Sequence, residues 1–293
     1  MSNARTRLPV RPLAEAIASQ VASNRSVAGH EGHFAGHRAR MTAEIGARAP
    51  QGGAGRLCLL GAGNANDVDL DALCALFAEV HLVDLDAAAS ARARAGVGEE
   101  RRSRIRVHAP FDASGIFDRL EEWARLPPAP SVIEQEARAV PERVVSALGG
   151  PFDVVVSCCL LTQLQLVLLE VVGDRNPRFA ELRLALGRIH VHTLASLLAP
   201  GGVALLVTDL TSSETYPFAA LAPDADLRAL MSDLLAADNV IYASHPGRLS
   251  AEIRRDPDWK SRFAVGSPIG PWLWHNGPEH TYLVYALEIT RTA

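Results

Sequence analysis

"LCLLGAGNANDVDLDAL", residues 57–73, decides how this chain folds. An apolar run stops at Gly61 and Gly63. A stretch with helical spacing of its apolar residues follows, with acidic residues near its start. Strand, glycine turn and helix in that order make the nucleotide-binding corner of a doubly wound sheet. The residues farther along the chain have to show which nucleotide the corner takes.

Working outward, apolar runs keep alternating with amphipathic stretches. "RLCLLGA" reads as a buried strand and residues 66–78 as the helix after it. "EVHLVDLD" is a second strand, followed by the helix "AAASARARAG". "RIRVHAPFD" is a third strand, with helices to about residue 148. "PFDVVVSC" is a fourth, with long helices across 160–198, and "GGVALLVTDL" is a fifth. This alternation predicts an α/β fold with a doubly wound, mostly parallel sheet, its ligand crevice at the carboxyl ends of the strands. The last segment, "GPWLWHNGPEHTYLVYALEIT", departs from it. Two strand-like runs around a short Gly/Pro-containing link predict a C-terminal antiparallel hairpin.

The first part of the chain has a different character. "PLAEAIASQVASN" and "HFAGHRARMTAEIGARAP" have helical spacing, and "QGGAG" punctuates the chain before the first strand. We therefore expect an N-terminal helical cap over residues 1–55 and the main α/β domain over 56–293. The net charge of −4 offers nucleic acid or anionic membrane no global attraction. Cys58, Cys74, Cys158 and Cys159 lie in apolar stretches without the spacing of a zinc site or disulfide framework. The N-terminus has no continuous apolar segment of the signal-peptide kind, and the most apolar stretch, 158–172, is too short and too interrupted to span a bilayer. These features lead us to expect a cytoplasmic protein without nucleic-acid or membrane partners. Oligomeric state is left open, a homodimer included.

The dinucleotide fingerprint G-x-G-x-x-G needs a third glycine at position 66, which is Asn66. Asp67 and Asp69 are poor neighbours for a pyrophosphate, although both also complement the helix dipole with no ligand present. A nucleoside without phosphate suits the corner better. Asp84 ends the second strand, where a carboxylate can accept from both ribose hydroxyls. NAD enzymes use the same position, so Asp84 points to adenosine without choosing between cofactors. Asp112, beside Phe111 at the end of the third strand, either forms a turn or accepts from an adenine amine while Phe111 covers the ring.

The succession "LLGAGNAN", "VDLD", "APFDASG", "FDVVVSCCLLTQL", "LLAPGGVALLVTD" and the hairpin is similar to the class I S-adenosylmethionine-dependent methyltransferases over about residues 56–290. The resemblance implies a seven-stranded sheet with its last strand inserted antiparallel, S-adenosylmethionine as cofactor, and methyl transfer. The family's acidic-x-Gly-x-Gly-x-Gly motif falls on Leu59, Gly61, Gly63 and Ala65, so the leading acid and the third glycine are absent. By the resemblance, Gly61, Gly63 and Asn64 line the methionine part, with Asp67 among the cofactor-binding residues. Asp84 takes the ribose, Phe111 and Asp112 the adenine, and the backbone of Ser157 and Cys158 the region of the sulfonium. Methyl transfer from a sulfonium needs chiefly alignment and exclusion of water, and no invariant catalytic set. Alternatives on the same fold are an aminopropyl-type transferase, an NAD-dependent oxidoreductase, or a non-catalytic S-adenosylmethionine-binding scaffold.

On the acceptor side the sequence offers candidates only. "GHEGHFAGHRARM" places His30, His33 and His37 on one face of any helix there. It is not the H-E-x-x-H zinc pattern, and no metal is expected. A histidine near the cofactor methyl can act as general base, His37 first and His30 second, with Phe34 and Arg38 facing substrate. Thr162, Gln163, Asp209, Thr211 and Tyr216 follow the fourth and fifth strands at the crevice mouth. His190 and His192 read as structural, and Trp272 and Trp274 as core or interface. With no target-recognition domain and no strongly basic stretch, a small-molecule acceptor is expected.

Overall fold

The computed structural model describes residues 9–29, 32–255, 257–276 and 280–292. Its centre is one eight-stranded sheet. The strands are β1 Arg56–Leu60, β2 Glu79–Val83, β3 Ile105–His108, β4 Phe152–Cys158, β5 Leu198–Ser212, β6 Phe263–Val265, β7 Ile269–Asn276 and β8 His280–Arg291. Seven follow the order β3-β2-β1-β4-β5-β8-β6, and β7 pairs with β8 beside β6. The β3-β2-β1-β4-β5 ladders are parallel. β8 enters antiparallel to β5 and forms the predicted hairpin with β7.

The parallel strands are apolar on both faces, as burial between two helical layers requires. Alternate residues therefore build two separate cores. Leu60, Val155, Leu206 and Tyr285 pack with α6 Phe117–Arg125, α7 Pro130–Leu148, α8 Leu160–Val172 and α9 Phe179–Ser196. Leu57, Leu59, Val154, Val156 and Leu205 pack on the other face. There they meet α2 Ala35–Gly46, α3 Leu70–Leu76 and Trp274 of β7. Between β2 and β3 lie α4 Ala87–Ala95 and α5 Glu99–Arg102. The segment between β5 and β6 carries α10 Leu227–Ala236, α11 Pro246–Arg255 and α12 Pro257–Arg262. Among the described residues no helix is long and apolar enough to cross a membrane.

Before β1 the chain forms α1 Leu13–Ser26 and α2. α1 packs on α8, α4 and α6, and α2 packs on α3 and β7, so the two helices bracket the carboxyl ends of β1, β2 and β4. The sheet has one strand more than the seven expected, and the start of α3 also differs. The helix predicted over 66–78 begins only at Leu70, because the Asp69 carboxylate caps it by accepting from Ala72 N at 3.0 Å. Residues 61–69 are thereby left as a loop facing the crevice.

Candidate functional site

The glycine corner is held by backbone geometry and one carboxylate. Gly61 has φ +75° and its N–H donates to Val83 O, and a Cβ there would come within 2.9 Å of Leu160 Cβ. Only glycine suits that position. Gly63, at φ +48°, donates its N–H to Asp84 Oδ2 at 2.8 Å. Asp86 N donates to Asp84 Oδ1 at 2.8 Å. Each carboxylate oxygen keeps further lone-pair capacity for a ligand. Burial raises the Asp84 pKa, and the donated backbone N–H groups oppose that shift. Asn64 Oδ1 accepts from Arg92 of α4, while Asn64 Nδ2 donates to Asn24 O at 2.6 Å and fastens α1 over the loop.

Two cavities meet at this corner. The larger, about 400 Å³, is lined from α1 by Gln20, Ser23 and Asn24, from the glycine loop by Gly61, Gly63, Asn64 and Asp67, and by Asp84. Its far wall consists of Phe34, Cys159, Thr162, Gln163, Asp209, Trp274, His280 and Tyr282. The smaller is a slot of about 30 Å³ between Leu85, Phe111, Ala113, Phe117 and Leu160. Asp84, Gly61, Asn24, Gln20 and Gln163 belong to both. Phe111 is set beside Asp84 by its N–H, which donates to Asp84 O at 2.9 Å.

Asp209, a buried acid, and Asp67, a half-buried one, both line the larger cavity. Asp67 Oδ1 has no hydrogen-bond partner among the described residues. Burial pushes the Asp67 pKa up to about 7, against the charge of Arg38. Asp209 Oδ1 accepts from Thr162 Oγ1 at 2.9 Å, and burial raises its pKa to about 6. A register shift between Asp209 and Thr211 in the β5–β8 ladder sets the direction of the carboxylate. Tyr282 is pushed up to about 12 by burial and by the negative charge of Asp209.

Several candidates from the sequence lie elsewhere. His37 is buried outside the cavity lining. It stacks on Trp274 at 5.0 Å, accepts from Trp272 Nε1 at 3.0 Å, and burial lowers its pKa to about 3. Its Nε2 stands 3.5 Å from Asp67 Oδ1, behind the wall and not on its open side. His30 lies outside the described residues. Arg38 Nε donates to Asn66 O at 2.9 Å and braces the loop from outside the lining. Asp112 lines neither cavity beside Asp84, because both its oxygens are taken. Oδ1 accepts from Ser114 N and Oγ, and Oδ2 accepts from Phe117 N at the start of α6. The turn-forming alternative describes it.

Ser157 and Cys158 are buried inside β4. Ser157 Oγ pairs with His190 Nε2 at 2.8 Å, and the cavity meets the next residue, Cys159, at φ +48°. Thr211 and Tyr216 were expected at the crevice mouth, but β5 runs on to Ser212, which pairs with Tyr282. Thr211 Oγ1 is then spent on Thr215 Oγ1 at 2.7 Å, and Tyr216 packs on the core beside Phe218. Tyr282 and the α1 polar face are absent from the sequence reading, and Trp274, read there as core or interface, also lines the cavity. The one available signal was the Trp272–Trp274 spacing, which puts both indoles on one face of a strand, where they meet His37.

An uninterrupted parallel run, its switch point between β1 and β4, and an antiparallel strand inserted beside β5 decide the architecture. The chain has the class I methyltransferase fold. No family model matches the sequence, and no curated protein matches it. Solved structures with this fold resemble it distantly. An S-adenosylmethionine-dependent methyltransferase from Anabaena variabilis is 13% identical, with 99% of this chain and 100% of that chain covered and a TM-score of 0.47. Another from Methanosarcina mazei is 12% identical, with 85% and 96% covered and a TM-score of 0.45. The O-methyltransferase TomG from Streptomyces achromogenes, solved with S-adenosylmethionine, is 12% identical, with 95% and 90% covered and a TM-score of 0.39.

Proposed function

We propose that the chain binds S-adenosylmethionine at the tips of β1, β2 and β4 and transfers its methyl group to a small-molecule acceptor. The observation that carries this reading is the position of Asp84 in the wall shared by an apolar slot and a polar cavity. Adenosylmethionine has that same division of polarity, with a flat apolar base on one side of a diol and a charged amino-acid tail on the other.

The residue types suit the group, and the slot, about 30 Å³ here, must widen to admit the purine. Phe111, Leu85 and Leu160 would sandwich the adenine, and Asp84 would accept from the ribose hydroxyls. The Asp67 carboxylate, through the oxygen turned away from His37, would take the α-ammonium. That supplies, from the loop, the charge that Leu59 withholds. Gln20, Ser23 and Asn24 of α1 offer neutral donors for the carboxylate and shield the crevice from water. When bound, S-adenosylmethionine supplies a methyl group activated by its sulfonium. The protein's own part is to align the acceptor on the Thr162 and Asp209 side and keep it dry.

A dinucleotide reading is disfavoured by the same residues. The described cavity lining contains three aspartates and no lysine or arginine, and the Asp69 carboxylate already caps the helix end that a pyrophosphate would meet. The test is calorimetric titration with S-adenosylmethionine and its demethylated product, on the parent and on Asp84→Ala. Binding by the parent and a loss of at least about 100-fold in the variant are expected, since two hydrogen bonds to a buried charge are removed. No heat with either compound in a folded sample refutes the reading. Mass analysis with isotope-labelled methyl then separates methyl from aminopropyl transfer.

A further inference from the structure

The far wall of the larger cavity is built for a positive charge. We infer that its acceptor carries an ammonium group, held as a binding handle between the Asp209 carboxylate and the aromatic surface of Trp274, Tyr282 and Phe34, with the methyl going to another atom of the acceptor that has a free lone pair. This rests on the reading that the Asp84 side of the same cavity takes S-adenosylmethionine.

Three independent observations carry the inference. Asp209 is only 5% exposed and has no basic partner in the described lining of the cavity. A hydroxyl, Thr162 Oγ1, is the side-chain donor recorded on it. Its negative charge is felt by Tyr282 and Cys159 on the same wall. Of the cations beside the acidic loop, Arg38 donates to Asn66 O and Arg92 to Asn64 Oδ1.

The aromatic rings form a continuous surface next to that charge. Trp274 lies 5.0 Å from Tyr282 and 6.3 Å from Phe34, centroid to centroid. Electron-rich ring faces beside a buried carboxylate attract an ammonium more strongly than either does alone. An anionic acceptor meets like charge on every side, and a neutral alcohol leaves Asp209 uncompensated.

The Trp274 indole N–H is buried with no acceptor among the described residues, although its ring lines the cavity. A native structure seldom leaves such a donor without an acceptor. It selects an amine that also carries an acceptor atom, such as an ether, carbonyl or ring nitrogen. Charge balance agrees. Bound S-adenosylmethionine carries a net single positive charge against Asp67, Asp84 and Asp209, so a cationic acceptor reduces the remaining excess of negative charge and an anion increases it.

The experiment is isothermal calorimetry on the full chain saturated with S-adenosylhomocysteine. The probes are phenethylamine, tyramine and 4-(2-aminoethyl)pyridine, each matched with its alcohol and its carboxylate. At least one amine is expected to bind about tenfold or more tighter than both its counterparts. Asp209→Asn should abolish that preference while leaving S-adenosylhomocysteine affinity, and the melting temperature near pH 4, close to the parent's. The inference is overturned if carboxylate or alcohol binds as well as the amine, if no amine binds, or if Asp209→Asn leaves the preference intact. Repeating the series without S-adenosylhomocysteine separates the two readings. Amine preference without any S-adenosylhomocysteine binding overturns the cofactor assignment alone, and S-adenosylhomocysteine binding without amine preference overturns this inference alone.

Discussion

Trp272 Nε1 donates a hydrogen bond to His37 Nδ1 at 3.0 Å. An indole nitrogen can only donate, so Nδ1 is the acceptor and the proton of the neutral ring sits on Nε2. That atom is the one 3.5 Å from Asp67 Oδ1. His37 has therefore already spent its lone pair, and burial at a pKa of about 3 keeps it neutral. It positions Asp67 and cannot take a proton from an acceptor.

His37→Ala is accordingly expected to cost about 2–4 kcal/mol of stability, from the cavity it leaves and the orphaned Trp272 N–H. Affinity for S-adenosylhomocysteine should fall with it, through Asp67. The pH profile of turnover should keep its shape. Denaturant unfolding, calorimetry and a pH–rate series check the three parts, and a vanished limb of the pH profile would reinstate the histidine as a base.

The two departures in the glycine motif are different physically. Ala65 has φ +56°, a left-handed backbone that costs an L-residue about 1–2 kcal/mol. Ala65→Gly relieves that strain and gives back about 0.4–1 kcal/mol in unfolded-chain entropy. A net gain of about 0.5 kcal/mol is expected. Leu59 is fully buried between Leu82 and Val156. Leu59→Glu inserts a charge into an apolar core and is expected to lose several kcal/mol without improving cofactor affinity. Parallel urea titrations decide both, and a stable Leu59→Glu with tighter binding would show that the loop acid is no substitute.

The parts of the site visible in the sequence share one property: each lies at the end of its own strand, where a local pattern marks it. Gly61, Gly63, Asp84 and Phe111 follow apolar runs directly and stand where those runs end. Trp274 and Tyr282 needed the β7–β8 register, and the extension of β5 to Ser212 needed its pairing with Tyr282. Such long-range pairings are decided by packing and leave no short-range mark. Asp112 was ambiguous because a carboxylate two residues before a serine makes an Asx turn as readily as a ligand contact.

Asp112 supplies a direct comparison with Asp84. Its oxygens hold Ser114 and the first N–H of α6. Asp112→Ala is expected to lower stability by about 1–2 kcal/mol through the lost cap. Affinity for S-adenosylhomocysteine should stay within about twofold, because no contact in the slot is removed. Melting curves and calorimetry on Asp112→Ala beside Asp84→Ala distinguish the two carboxylates. A hundredfold loss of affinity from Asp112→Ala would return it to the adenine site.

Asp209 gives stability a pH dependence whose sign follows from its burial. The folded pKa is about 6, against an ordinary value of 3.8. Between those values the native state binds more proton than the unfolded chain, so stability falls as pH rises through the window. Below it the carboxyl is protonated in both states. Above it the burial cost is constant, at most about 3 kcal/mol. Asparagine keeps an acceptor for Thr162 and cannot ionise. Asp209→Asn should therefore match the parent near pH 4 and grow progressively more stable relative to it up to about pH 6, while Asp67 contributes equally to both and cancels. Urea unfolding of the two proteins at intervals from pH 4 to pH 7 measures the difference. A difference that stays flat across that range would mean Asp209 is ionised in the fold at an ordinary pKa, with a counter-charge or solvent already beside it.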